Sequence, residues 1–190
     1  MPDHDQELVD IALAKQGDIF SFNRLVGGYQ TRAYNLSLRL LRDRDEALDA
    51  CQESFLKAWK KLKDFKGGSF KAWMLKIVVN SCRDQQRKKK PTIPMDMDIS
   101  SLATSVEEEA LRHELEQEIL KGLSCLNFGE RSAVTLFDME GLSYQEAAEV
   151  MSCPLGTVKS RLSSGRRKLR DFLLKSELLP SQFRPKSDVV

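Results

Sequence analysis

The side chains able to do chemistry in this chain fall into three groups, and the most concentrated is cationic. Between Pro154 and Arg170 there are six basic residues and no acidic one. Thr157, Lys159, Ser160, Ser163, Ser164, Arg167 and Arg170 fall on or beside a helical face opposite Leu155, Val158, Leu162, Leu169, Phe172 and Leu173, and Arg161 and Arg166 add to the same cationic segment. Lys and Arg hold phosphates, and Arg, Ser and Thr can read base edges. The second group is Phe65, in the polar, glycine-rich loop KDFKGG, followed by Trp73, Asn80, Arg83 and Arg87. Aromatics close to cations suit stacking on unpaired bases. Phe65 reads as exposed, whereas Trp73 shares helical spacing with Phe70 and Ile77 and also fits a core position. The third group, Asp49, Gln52 and Glu53, shares one helical face at i, i+3 and i+4.

None of these groups is a catalytic constellation: they contain no histidine partner, glycine-rich phosphate loop or metal cluster. His4 and His113 lie apart from Cys51, Cys82, Cys125 and Cys153, which form no C-x-x-C pair, so reduced thiols are expected and neither a metal nor a cofactor is implied. Charged residues make up 31% of 190, yet the net charge is only +2. The charge is segregated instead, basic over 83–90 and 159–170 and acidic over 107–118. Such segregation suggests two nucleic-acid-facing patches joined by something that faces elsewhere. Without a signal peptide or an apolar run long enough to span a bilayer, the expected location is the cytoplasm, with no membrane insertion.

Helices must position these groups, and strand signals are scarce, so the expected fold is all-α. From Gly141 to Leu174 the chain reads GLSYQEAAEVMSCPLGTVKSRLSSGRRKLRDFLL. Ser143 and Glu146 form a capping box, Tyr144, Ala147, Ala148 and Met151 make an apolar face, and Ser152-Cys153-Pro154 separates a second, longer helix. A short helix, a tight turn and a cation-rich helix is the pattern of a helix-turn-helix, whose second helix enters the major groove. Upstream, helices are expected over 5–15, 18–41 with Phe20 among its apolar residues, about 45–62 with a buried stripe of Leu48, Cys51, Phe55, Trp59 and Leu62, and from Ser69 into the basic run before Pro91. Residues 91–106, with two prolines and no sustained period, read as a linker. Helices over 107–123 and 130–140 follow, and 175–190 reads as a frayed tail. The organisation expected is two small helical domains, 5–90 and 107–174, joined by a flexible linker.

Two stretches, DEALDACQESFLKAWKKLKDFKGGSFKAWMLKIVVNSCRD and ERSAVTLFDMEGLSYQEAAEVMSCPLGTVKSRLSSGRRKL, resemble region 2 and region 4 of the extracytoplasmic-function sigma factors. With flanking helices the resemblance covers roughly residues 5 to 174. It implies a promoter-specificity subunit, not an enzyme, that binds core RNA polymerase and promoter DNA and is held by a separate anti-sigma protein. On that resemblance Asp49, Gln52 and Glu53 dock on polymerase, and Phe65, Trp73, Asn80, Arg83 and Arg87 recognise and help open the −10 element. The helix bearing Thr157, Lys159, Ser160, Arg161, Ser163, Ser164, Arg166 and Arg167 reads the −35 element. Asn127 stands where the family usually has proline, and Ser163-Ser164 replaces a bulkier, often basic pair, so the −35 preference is expected to differ. A different class remains open, a stand-alone helix-turn-helix regulator binding a palindrome as a dimer, and a helical enzyme acting on nucleic acid is a third.

Overall fold

The computed structural model describes residues 4–88 and 117–175. The expected linker (91–106), most of the acidic segment, and the tail from 176 lie outside them. The described residues are helices joined by short turns: α1 (His4–Lys15), α2 (Ile19–Leu41), α3 (Arg44–Lys61) with a 3₁₀ turn at Leu62–Asp64, and α4 (Phe70–Lys88) make the first unit. The second holds α5 (117–124), α6 (Phe128–Val134) running into a π-helical turn at Thr135–Met139, α7 (Tyr144–Met151) and α8 (Leu155–Lys175).

Helix starts are set by side-chain caps that take otherwise orphaned N–H groups. Asp18 accepts from the backbone N–H of Ser21 at 3.0 Å, Asp43 from that of Glu46 at 3.0 Å, and Ser69 from that of Ala72 at 3.1 Å. Ser143 and Glu146 form the expected reciprocal box, at 3.2 and 2.9 Å. Asn127 turns out to be a cap in its own right: it accepts from the Glu130 N–H at 2.9 Å and its own N–H donates back to Glu130 at 3.2 Å. The departure from proline therefore starts α6 by hydrogen bonding instead of by ring geometry. Ser152, at φ 51°, makes the left-handed step that turns the chain from α7 toward α8.

The first unit packs α2, α3 and α4 around Leu36, Leu40, Leu62, Met74, Leu75, Val78 and Val79. The buried stripe of α3 differs from the expected one. Leu48 is 49% exposed, and the face turned inward is Ala47, Ala50, Cys51, Ser54 and Ala58. Small residues win the inward face because they let α3 approach α2 and α4 closely, which leaves Phe55 and Trp59 at its margin. Phe20, expected on the apolar face of α2, is 72% exposed, since the buried positions of that turn are Ser21 and Phe22.

In the second unit α8 lies across α6 and α7, with Val158, Leu162 and Gly165 inward. A Cβ at Gly165 would stand 2.8 Å from a Val134 methyl and 3.3 Å from the Glu130 carbonyl oxygen, so the missing side chain sets how closely α8 approaches α6.

The units meet where α4 packs against α7 and α2 against α6. Arg131, buried on α6, donates to the carbonyls of Leu123 at 2.9 Å and Leu126 at 2.7 Å, at the end of α5. It also donates to Leu40 at 2.6 Å, in the last turn of α2. Carbonyls at helix C-termini lack intrahelical partners and carry the negative end of the dipole, so a cation without a carboxylate can sit there. Burial and the nearby Arg42 charge still push its pKa down to about 10.

Candidate nucleic-acid interface

The structure divides the cationic residues of α8 into two sets. Ser160, Ser163 and Arg167 lie on the exposed ridge opposite Val158, Leu162 and Gly165, with Arg170 one turn beyond. Lys159 flanks that ridge with its ammonium 5.5 Å from the Tyr144 ring centre. Arg166 flanks it on the other side, over the Phe137 ring at 5.3 Å and paired with Asp138 through Nε at 3.0 Å. That pairing raises the guanidinium pKa above its ordinary value.

The second set is turned into the body. Ser164 donates to Glu130 at 2.7 Å, and Lys168, absent from the sequence-level set, reaches both Glu130 oxygens at 2.9 and 2.8 Å. Burial works against the Glu130 charge, yet these bonds and the Asn127 cap hold its pKa below the ordinary carboxylate range. Arg161 lies across Gly129 and reaches the Cys153 sulfur at 3.7 Å. Thr157 is half-buried, and its carbonyl accepts from Ser160 at 3.0 Å. Arg161 and Ser164 therefore position α8 in this structure.

Phe65 corrects the sequence expectation most sharply. It is 5% exposed, with its ring 5.4 Å from Phe70 and 5.4 Å from Trp73, and Phe70 continues the cluster to Tyr29 at 5.5 Å. The loop is polar and glycine-rich, but Gly67 and Gly68, both at positive φ, turn it back so that Phe65 folds under the start of α4. Lys15 donates to the Phe65 carbonyl and lies 5.4 Å from its ring centre. In this arrangement Phe65 offers no face to a base. Trp73 is half-buried in the same cluster, as its spacing with Phe70 allowed.

Arg83 faces the second unit, with Asn80 one turn before it on α4. Arg83 Nη1 donates to the Asn80 amide oxygen at 3.2 Å and Nη2 to the Met151 carbonyl at 3.3 Å, at the C-terminus of α7. Its guanidinium also lies 5.9 Å from the Phe128 ring centre. Arg87 is exposed one turn further on.

The α3 face is accessible. Asp49 and Gln52 are exposed, and Glu53 is half-exposed and paired with Lys57 at 3.0 Å. The sequence reading missed its apolar members, Leu48 and Leu56, which is 64% exposed. Both lie one turn from Gln52, and two bare leucines beside carboxylates are a surface suited to a partner.

Two family models match the chain, Sigma-70 region 2 over residues 25–92 and Sigma-70 region 4 over 116–169. A sigma-E factor of Haemophilus influenzae, named an ECF RNA polymerase sigma factor, is 34% identical, with 87% of this chain and 96% of the relative aligned. Two solved structures share the fold. CnrH, solved with the cytosolic domain of CnrY, has a TM-score of 0.68 at 25% identity, covering 88% of this chain and 97% of that one. RpoE of Bartonella quintana, a sigma factor solved with the anti-sigma factor NepR, has a TM-score of 0.63 at 26% identity, covering 82% and 98%. With both regions in order on one chain and a full-length relative at that identity, this chain belongs to the extracytoplasmic-function RNA polymerase sigma factors.

Proposed function

We propose that the protein binds core RNA polymerase through the α3 face and directs initiation at promoters carrying a −10 and a −35 element. The observation that carries this reading is the exposed ridge of Ser160, Ser163, Arg167 and Arg170 on a helix already fixed by a capped α7 and a glycine-close α6. That ridge is the −35 reader, flanked by Lys159 and Arg166 as phosphate contacts. Asn80, Arg83 and Arg87 contribute to −10 recognition. The protein acts by binding and not by covalent catalysis, in the cytoplasm, and a separate anti-sigma protein is its expected regulator.

The closed arrangement supports dependence on polymerase. Arg83 is engaged by Met151 of α7 and Phe128 of α6 and holds Asn80 beside it, so in this arrangement part of the −10 set is turned toward the second unit while the α8 ridge is exposed. Two weak sites gain from linkage only when both can engage together. In vitro transcription with purified core polymerase on a pool of host promoter fragments tests the reading. Wild type should start transcription at a defined subset, and Glu53→Lys should compete poorly for core while keeping its helical circular dichroism. Tight, sequence-specific binding of the free protein to a palindrome, with no core-dependent initiation, would replace this reading with a dimeric regulator.

A further inference from the structure

Two carboxylates, one on α6 and one on the π turn, pair with cations of α8, and they sit in opposite surroundings. Glu130 is buried and braces the helix from inside through Ser164 and Lys168. Asp138 stands at the surface beside the exposed ridge, its side chain 32% exposed, and takes Arg166 there. An ion pair that open to water adds little to stability, so the fold does not require it. Asp138 also places a negative charge next to a helix face suited to phosphates, where it repels the ligand.

The pairing constrains Arg166 more than a single contact would. Its Nε donates to one Asp138 oxygen at 3.0 Å and its Nη2 to the other, so one complete edge of the guanidinium fork is taken. The Phe137 ring lies under the guanidinium carbon, 5.3 Å away at its centre, and is itself held by stacking on Tyr144 at 4.4 Å. Phe137 and Asp138 both come from the π turn at Thr135–Met139, a kind of element rare in helices and frequent at functional sites. What stays open is the edge carrying Nη1. An untethered arginine on a helix surface samples many rotamers and can meet a phosphate in almost any register of that helix on DNA. Tethered in this way, Arg166 can meet one only from a single direction.

We propose that Asp138 is a positioning residue for promoter recognition: by holding one edge of Arg166 it confines that cation to the phosphate contact available when the α8 ridge is in register with its base sequence, and so raises discrimination of −35 DNA over unrelated duplex. The inference rests on the promoter-binding reading and deepens it. Phosphate contacts carry no sequence information themselves but fix register, and specificity is a difference of affinities that a penalty on wrong complexes increases. Out of register, Arg166 cannot follow the DNA backbone, and Asp138 faces phosphate without compensation. In register, the open edge of the guanidinium meets a phosphate while Asp138 keeps its partner.

Competition binding with holoenzyme reconstituted from core polymerase reads this directly. The probes are a promoter fragment selected by the transcription assay and the same fragment with its −35 element scrambled, each titrated at several salt concentrations. Asp138→Asn should tighten binding to the scrambled fragment by about three- to fivefold, the scale of one exposed charge interaction, while the intact promoter changes by less than about twofold. The salt slope toward the scrambled fragment should deepen by about 0.9, one phosphate gained. Arg166→Lys, which keeps the charge but loses the fork, should lower discrimination in the same way. In an Arg166→Gln background Asp138→Asn should have no effect, because Asp138 acts through Arg166. Circular dichroism melts confirm that each variant is folded. Unchanged discrimination in Asp138→Asn overturns the proposal. So does equal weakening toward both fragments, the mark of a brace that only supports α8. An Asp138→Asn effect that survives Arg166→Gln overturns it as well, since plain repulsion would then explain the residue. If wild-type holoenzyme does not distinguish the two fragments, the functional reading falls too; if it does, and Asp138→Asn matches it, this inference alone falls.

Discussion

Phe65→Ala separates two roles that this residue could have. A base-stacking Phe65 would cost DNA capture ~1–3 kcal/mol when removed and leave the free protein as stable as before. The structure demands the opposite. Phe65 is 5% exposed and contacts two rings at 5.4 Å, so truncation removes its burial, opens a cavity beside Phe70 and Trp73, and loses two aromatic pairs. Core Phe→Ala changes cost ~3–5 kcal/mol. The neighbours Asp64 and Lys66 are exposed and the loop can partly collapse, which places the cost near the lower end, ~3 kcal/mol. Both tryptophans of the chain, Trp59 and Trp73, lie in the first unit, so their fluorescence follows that unit during urea unfolding. At ~1–3 kcal/mol per molar urea, the midpoint should fall by about 1–3 M, and Phe65→Leu should fall by less. A Phe65→Ala midpoint within about 0.3 M of wild type, at an unchanged slope, would refute the burial argument and return Phe65 to the DNA surface.

Arg131→Met should destabilise the protein by ~3–5 kcal/mol in thermal or urea unfolding, because it strands three buried carbonyls that now share one guanidinium; a loss under ~1 kcal/mol would contradict this. Gly165→Ala sets an intrinsic helix gain of ~1 kcal/mol against ~1–3 kcal/mol of overpacking on Val134 and the Glu130 carbonyl, so a small net loss is expected and a stabilised variant would show that α6 and α8 part freely. Iodoacetamide should label exposed Cys125 and half-buried Cys153 well before Cys51 and Cys82, since burial pushes the Cys82 thiol up to about 12 and raises Cys51 as well; equal native rates for Cys82 and Cys125 would overturn it.

Local rules made most of the helices legible. Caps at Ser69 and Ser143, the helix stop at Ser152-Cys153-Pro154 and the all-α character all follow from short-range chemistry that a sequence displays. What the sequence hid was rotation and packing. Periodicity gave α3 an apolar face containing Leu48, but close approach favoured the alanine face nearby, and nothing in a single helix ranks alanine above leucine for burial. Phe65 was hidden for a related reason: loop composition signals exposure, whereas two glycines at positive φ return the chain to the core. The cationic helix was visible as a charge run, but the division into an outward ridge and an inward brace depends on Glu130 and Gly129, over thirty residues upstream. The contacts of Arg131 with Leu40 and of Glu140 with Arg32 join distant segments, and no spacing rule reaches them.

Those distant contacts also determine how firmly the two units hold together. Several groups crossing the seam lose little on parting. Arg83 and Lys71 donate to main-chain carbonyls at helix ends, which water can satisfy equally well, and Arg32 and Arg39 are each about 30% exposed already. Arg131 is the deepest of them, and separation would remove its bond to Leu40 while leaving two carbonyls and admitting water to a charge now buried. The packing of α4 on α7 is the more extensive of the two helix contacts across the seam, and the polar contacts fix its register. A partner that binds the two units apart would need ~5.5 kcal/mol of differential binding to move such a seam from 1:99 to 99:1. Parting would leave Arg131 with the carbonyls of Leu123 and Leu126 but take Arg32 and Arg39 away from Glu140, so the polar cost of opening falls on one bond of Arg131 and on the Glu140 pairs.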